Sequence, residues 1–211
     1  MAAKPLEDTW RRRLELAMDL GERTFSVLLF AGMVVRITLS PAFHLWDALV
    51  LLSEGLVVAF IVFRRLAVNV SSRPMDWLVA LVGTGAPMLV RVGGHAVGPP
   101  AVAVFLMTGG LLFSIWAKLI LRRSFGLAAA NRGVVDAGPY GFVRHPIYAG
   151  YIVVYIGFLL ANPTAWNACV YALTVGLLII RILAEERVLK LDIAYSALMS
   201  RVRYRLAPGV F

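Results

Sequence analysis

The sequence predicts an all-α integral membrane protein, a polytopic helical bundle of about six transmembrane helices with both termini in the cytosol. Three observations predict it. Hydrophobic residues fill 60% of the 211 positions and charged residues only 16%, with a mean hydropathy of +0.80; an ordinary soluble domain has no use for that much apolar surface. Apolar runs of roughly 20 residues, the length of a bilayer-crossing helix, recur between short polar segments. The 21 Lys and Arg residues fall almost entirely in the segments that would share one side of such a bundle.

The first element, 1–23, reads as a cytosolic basic segment. Met1–Gly21 mixes acids with bases and has no apolar core followed by a small-residue cleavage site, unlike a cleavable signal. Trp10, Leu14, Leu16, Met18 and Leu20 interleave with Arg11, Arg12 and Arg13. A surface helix lying on anionic headgroups and a solvated positive flank both account for that pattern. Spans are expected near 24–40, 44–63, 75–92, 100–121, 146–161 and 163–183, and 24–117 reads as scaffold. Arg36, Asp47 and Glu54 are the expensive residues of the early spans. Asp47 can reach the interface, whereas Glu54 lies nearer mid-span and needs a partner or a water-filled cavity. Gly83-Thr84-Gly85 and Gly93-Gly94 have no strand before them and no polar helix after them, so packing and turns explain them better than a nucleotide loop.

Charge placement orients the chain. Five Lys or Arg residues precede the first span, three lie in 64–73, five in 118–145 and six in 181–211, leaving Arg36 and Arg91 for the opposite side. That is the positive-inside bias of an even number of spans. The net charge of +9 is therefore spent on topology, and no basic face remains for nucleic acid. The single cysteine, Cys169, lies inside an apolar run, which argues against disulfides, thiolate metal sites and cysteine catalysis.

The region 118–211 carries the chemistry. Residues 122–145, RRSFGLAAANRGVVDAGPYGFVRH, are too polar to cross and too specific for a linker. Gly138-Pro139 marks a turn, with Tyr140 and Phe142 as interfacial anchors. Asn162-Pro163 breaks the last two spans into a hairpin. The hairpin returns Arg181, Glu185 and Glu186 to the edge that holds Arg144 and His145. Arg181 and Glu185 are i and i+4 on one helix face and can pair or jointly line a pocket.

Gly138-Pro139-Tyr140, RHPxYxG at 144–150, the Asn162-Pro163 hairpin and EExxL at 185–189 occur in that order. Together they resemble the isoprenylcysteine carboxyl methyltransferase (ICMT) family, membrane enzymes that use S-adenosylmethionine. The resemblance covers roughly 118–211, including the ending DIAYSALMSRVRYRLAPGVF. It implies that Arg132, Gly133, Val134, Val135 and Tyr140 contact the cofactor, that His145, Pro146, Ile147 and Tyr148 cradle it, and that Glu185 binds it from the other cluster. It also implies that Arg181 faces the methyl acceptor. Arg132 stands where the family commonly has His, and Leu198 where it frequently has Tyr.

The residue types fit such a cofactor on chemical grounds. A sulfonium and an ammonium suit acids and aromatic faces, and a carboxylate suits cations. Glu185 or Glu186, Tyr140 or Tyr148, and Arg144 or His145 supply these. A carboxylate acceptor needs no general base, only orientation by Arg181 with Arg144; an amine or thiol would need His145 or a glutamate to take a proton. The expected reaction is methyl transfer to the carboxylate or other polar head of a lipid-like or isoprenylated acceptor arriving from the membrane. The active site is expected to face the cytosol, in the cytoplasmic membrane if the source is bacterial, and no metal is needed. Phospholipid or amine N-methylation, a dinucleotide-dependent (NADPH) membrane reductase and a non-catalytic membrane protein remain as alternatives. The sequence leaves the oligomeric state open.

Overall fold

The computed structural model describes residues 4–39, 45–65, 67 and 69–211. Among these the architecture is all-α, with helices α1 (Lys4–Thr38), α2 (Leu45–Val62), α3 (Pro74–Gly85), α4 (Pro100–Leu121), α5 (Pro146–Ala161), α6 (Ala165–Leu189) and α7 (Ile193–Arg201). The side chains of Trp10, Arg11, Arg12, Leu14 and Asp47 lie outside the described residues.

Two boundaries differ from the expectation. The basic segment and the first span form one 35-residue helix, α1, because nothing between Asp19 and Phe25 breaks it. Leu16, Leu20 and Leu28 are exposed on α1, whereas Glu22 and Ser26, one turn apart, are buried against the protein. The third expected span is a helix of only 12 residues, about 18 Å long. Pro87 disfavours α-helix at Ala86, and the chain continues as a 3-10 turn over Ala86–Leu89. Two helices among the described residues are long and apolar enough to cross a membrane, Pro100–Ser124 and Ala165–Leu189, with shorter apolar helices at Ala48–Val62 and Pro146–Ala161.

Small residues let α4 and α5 approach closely. A Cβ on Gly150 would fall 2.6 Å from the Gly110 carbonyl oxygen, and one on Gly157 would fall 2.8 Å from that of Ala103. The glycine ending RHPxYxG thus has a packing reason. Ser114 Oγ adds a hydrogen bond to Ile147 O at 3.2 Å. Pro146 occupies the first turn of α5, where its missing N–H costs nothing and its φ suits the helix.

The α5–α6 hairpin is held from the first half. Asn162 Oδ1 accepts from Gly93 N at 3.0 Å, and Asn167 accepts from Arg91 N at 2.9 Å while donating to Arg91 O at 2.8 Å. Thr164 caps α6 by accepting from Asn167 N. At the other end, the short antiparallel strands β1 (Asn69–Val70) and β2 (Ala130–Asn131) join the α2–α3 connection to the polar segment before α5. Arg65 N to Arg123 O and Ser71 N to Ala129 O, each 2.9 Å, extend that pairing. The main apolar core sits at this end, built from Val57, Ile61, Ala117, Phe125, Leu127, Ile147 and Ile182 among others.

Candidate functional site

Above this core a pocket of about 770 Å³, including its open mouth, lies between the 121–135 segment, the 138–141 turn, the start of α5, the end of α6 and α7. Gly138 holds φ +58 at the turn, a left-handed conformation that glycine adopts without strain. The turn packs Pro139 and Tyr140 inward.

The pocket gathers residues that are far apart in the chain. Arg132, Gly133, Val134, Val135 and Tyr140 line it from one side, and Arg144, His145, Ile147, Tyr148 and Glu185 from the other. Tyr148 Oη donates to Glu185 Oε1, joining the two motif clusters directly. The Tyr148 ring stacks on His145 with centroids 5.8 Å apart, and His145 Nδ1 lies 3.6 Å from Glu185 Oε2. From there aromatic rings continue along α5 through Tyr151 and Tyr155, which stacks on Tyr171 of α6 at 4.4 Å.

Pro146 and Arg181 stand outside the pocket wall. Pro146 is buried at the head of α5. Arg181 lies one turn behind Glu185, with Nε 3.2 Å from Glu185 Oε1, Nη2 3.2 Å from Gly126 O and its guanidinium 5.3 Å from the Tyr148 ring centroid. Arg144 lines the pocket, but its donors are committed elsewhere. Its Nε donates to Glu186 Oε1 at 2.9 Å, and its Nη1 to the carbonyls of Val202 and Arg203 at 2.8 Å each. Glu186 Oε2 accepts from Arg205 Nη2 at 3.0 Å. Glu186 therefore ties the start of α5 and the segment after α7 to α6, with Lys190 Nζ of the same helix 4.0 Å from Oε2.

Several buried polar atoms at the pocket have no hydrogen-bond partner among the described residues: Arg132 Nε, Tyr140 Oη, Tyr195 Oη and His145 Nε2, the last 3.5 Å from Glu186 Oε1. Buried groups of this kind are rare unless something else satisfies them. Burial pushes the Tyr140 and Tyr195 hydroxyls upward, so both remain neutral donors. Burial also lowers the Arg132 guanidinium to about 10, with Arg64 adding repulsion and Glu22 and Asp19 opposing the shift.

Tyr195 and Leu198 of α7, together with Gly126, Ala128 and Ala130, line the pocket although the sequence attached no role to them. Tyr195 lies in the C-terminal stretch DIAYSALMSRVRYRLAPGVF, where nothing local marks which face of a nine-residue helix turns inward. Asp192 caps α7 through Ala194 N and accepts from Asn131 Nδ2 at 2.8 Å, so α7 is fastened to the pocket loop.

Residues 103–191 match the model of the Isoprenylcysteine carboxyl methyltransferase (ICMT) family. That segment, 89 of the 211 residues, is similar to the family. No curated protein matches the chain. The ICMT-family segment begins in α4 and ends just before α7, so it holds the 121–135 loop, the turn at Gly138, RHPxYxG and Glu185, while α1, α2, α3 and α7 fall outside it. The family so matched is one of carboxyl methyltransferases.

Proposed function

We propose that the protein is an S-adenosylmethionine-dependent methyltransferase that methylates the carboxylate or other polar head of a lipid-like or isoprenylated molecule. The Tyr148–Glu185 hydrogen bond carries the proposal, because it makes one wall of the two clusters on which the family resemblance rests. The unpartnered pocket atoms fit the cofactor's groups. Arg132 Nε suits its carboxylate, Glu185 and the Tyr148 face suit its cationic centres, and the neutral hydroxyls of Tyr140 and Tyr195 suit its heteroatoms.

When bound, S-adenosylmethionine supplies an electrophilic methyl group on a sulfonium. The residues of this chain align and desolvate. Tyr140, Ile147 and Tyr148 provide a low-dielectric wall, and Glu185, fixed by Tyr148 and Arg181, holds its carboxylate in one orientation. Arg181, buried one helical turn behind Glu185, orients an acceptor carboxylate without any proton transfer. Arg144 is a positioning residue here, since Glu186 and two carbonyls occupy its donors. The aromatic face from His145 to Tyr171 supports an acceptor with an apolar body.

The region 118–211 is the proposed catalytic part, supported by 24–117 and preceded by 1–23. The proposed topology has about six crossings with both termini and the pocket cytosolic, on the strength of the Lys and Arg placement. Calorimetric titration of the detergent-solubilised protein with S-adenosylmethionine tests the cofactor; no binding at millimolar ligand overturns the proposal. Mass spectrometry of membrane lipid extracts incubated with methyl-labelled cofactor tests the acceptor. Label on a carboxyl ester supports the reading, and label on an amine replaces it with N-methylation.

A further inference from the structure

Glu22 of α1 is 2% exposed, yet it lies more than a hundred residues in sequence from the pocket loop it touches. Its Oε1 accepts from Leu127 N at 2.6 Å and from Arg64 Nη1. Arg64, also buried, is anchored on its other side by Asp19 Oδ1, 3.0 Å from Nε. Among the described residues Glu22 Oε2 has no hydrogen-bond partner, and it lies 3.9 Å from Arg132 Nη2. The Arg132 guanidinium rests across Gly126, where any side chain would collide with it. Arg132 O accepts from Ser124 Oγ at 3.1 Å.

Charge decides what this arrangement does. Of the cations lining the pocket, Arg144 is neutralised by Glu186 in direct contact. Arg132 has no hydrogen-bonded carboxylate among the described residues; Glu22 is its nearest counter-charge, and Arg64 repels it. A buried guanidinium holds its place and its charge only with an anion nearby. Glu22 provides that anion, and the same carboxylate pins the backbone of the loop at Leu127.

We infer that Glu22 is a positioning residue for the pocket, reaching from α1 to hold Leu127 and Arg132 so that Arg132 meets the carboxylate of the bound ligand. The inference rests on the cofactor reading above and extends the site beyond the ICMT-family segment into the first helix. Arg132 is the contact and Glu22 acts through it. Glu22→Gln keeps an oxygen for Leu127 N–H and removes the charge that faces Arg132.

The test compares two ligands by calorimetry on the full-length protein. S-adenosylhomocysteine carries the amino-acid carboxylate, whereas 5′-methylthioadenosine shares the nucleoside thioether and lacks it. Glu22→Gln is expected to weaken S-adenosylhomocysteine about tenfold, the scale of one charge-assisted contact, and to leave 5′-methylthioadenosine unchanged. Equal weakening of both ligands means general loosening of the fold and overturns the inference. Tighter S-adenosylhomocysteine binding means Glu22 competes with the ligand for Arg132 and also overturns it. Glu22→Asp, which keeps the charge but shortens the side chain, serves the same comparison if Glu22→Gln does not fold. Should the unsubstituted protein bind neither ligand, the cofactor reading fails and Glu22 is judged by amide exchange: faster exchange at Leu127 in the variant supports its hold on the loop, and unchanged exchange removes it.

Discussion

Lys118 Nζ lies 3.0 Å from Glu54 Oε1, and the same ammonium donates to Ser53 Oγ at 2.7 Å and to Ser53 O at 3.2 Å. All three of its protons are thereby used. The pair answers the need for a partner that Glu54 showed in the sequence, and it takes Lys118 out of the set of loop charges. Replacing Glu54 by Leu leaves a fully buried ammonium without its counter-charge and is expected to cost about 3 kcal/mol. The Lys118→Met/Glu54→Leu double variant should recover most of that loss. Thermal unfolding in detergent measures both; equal destabilisation of single and double variants would refute the pairing argument.

Gly150 should tolerate no side chain. Gly150→Ala drives a methyl group toward the Gly110 carbonyl, and separating α4 from α5 is expected to cost about 1–3 kcal/mol. Gly176, with open space around it, is the control position. A Gly150→Ala protein with unchanged melting temperature contradicts the close packing.

Glu186 engages Arg144 and Arg205 through its two oxygens. Glu186→Gln leaves the buried Arg144 without a compensating charge, an expected loss of about 3 kcal/mol. The segment after α7 should then detach first, because Arg144 also holds the carbonyls of Val202 and Arg203. Limited proteolysis with mapping of the first cut checks this; a first cut elsewhere speaks against the clamp.

Glu185 and Tyr148 should separate in ligand binding. Glu185→Ala removes an anion and is expected to weaken S-adenosylmethionine by more than about tenfold. Tyr148→Phe removes only the hydrogen bond that orients it and should cost less than Glu185→Ala. Calorimetry gives both, and the reverse order would make Tyr148 the principal contact.

Acid should loosen the anchor of α1. Burial raises the Asp19 carboxyl, but hydrogen bonds and charge from Arg64 and Arg23 outweigh it and hold the group below its ordinary value of 3.8. A carboxyl depressed in the folded state contributes stability above its unfolded value and loses it as pH falls through the folded one. Asp19→Asn should therefore flatten the decline of melting temperature between about pH 4 and lower values. An unchanged slope rules Asp19 out as a source of acid sensitivity.

Local chemistry made much of this protein legible. Apolar runs identified α2, α4, α5 and α6 because a buried or lipid-facing helix needs no polar stripe, and Asn162-Pro163 marked its hairpin because proline removes a donor. Arg181 and Glu185 pair as their i, i+4 spacing permits. Pro87 shortens α3 by disfavouring helix at the residue before it, so the apolar run 75–92 is longer than the helix it contains.

By itself the sequence determined the helical class, the break before α6, and the ordered motifs that mark an ICMT-family segment, since each depends on residues close together in the chain. Only the tertiary structure decided which charges face one another. Glu22 meeting Leu127, Arg144 meeting Glu186, Lys118 meeting Glu54 and Tyr195 turning into the pocket all depend on distances set by packing. The physical reason is that a buried charge is compensated by whichever group the fold brings within a few ångströms, and sequence separation sets no limit on that choice.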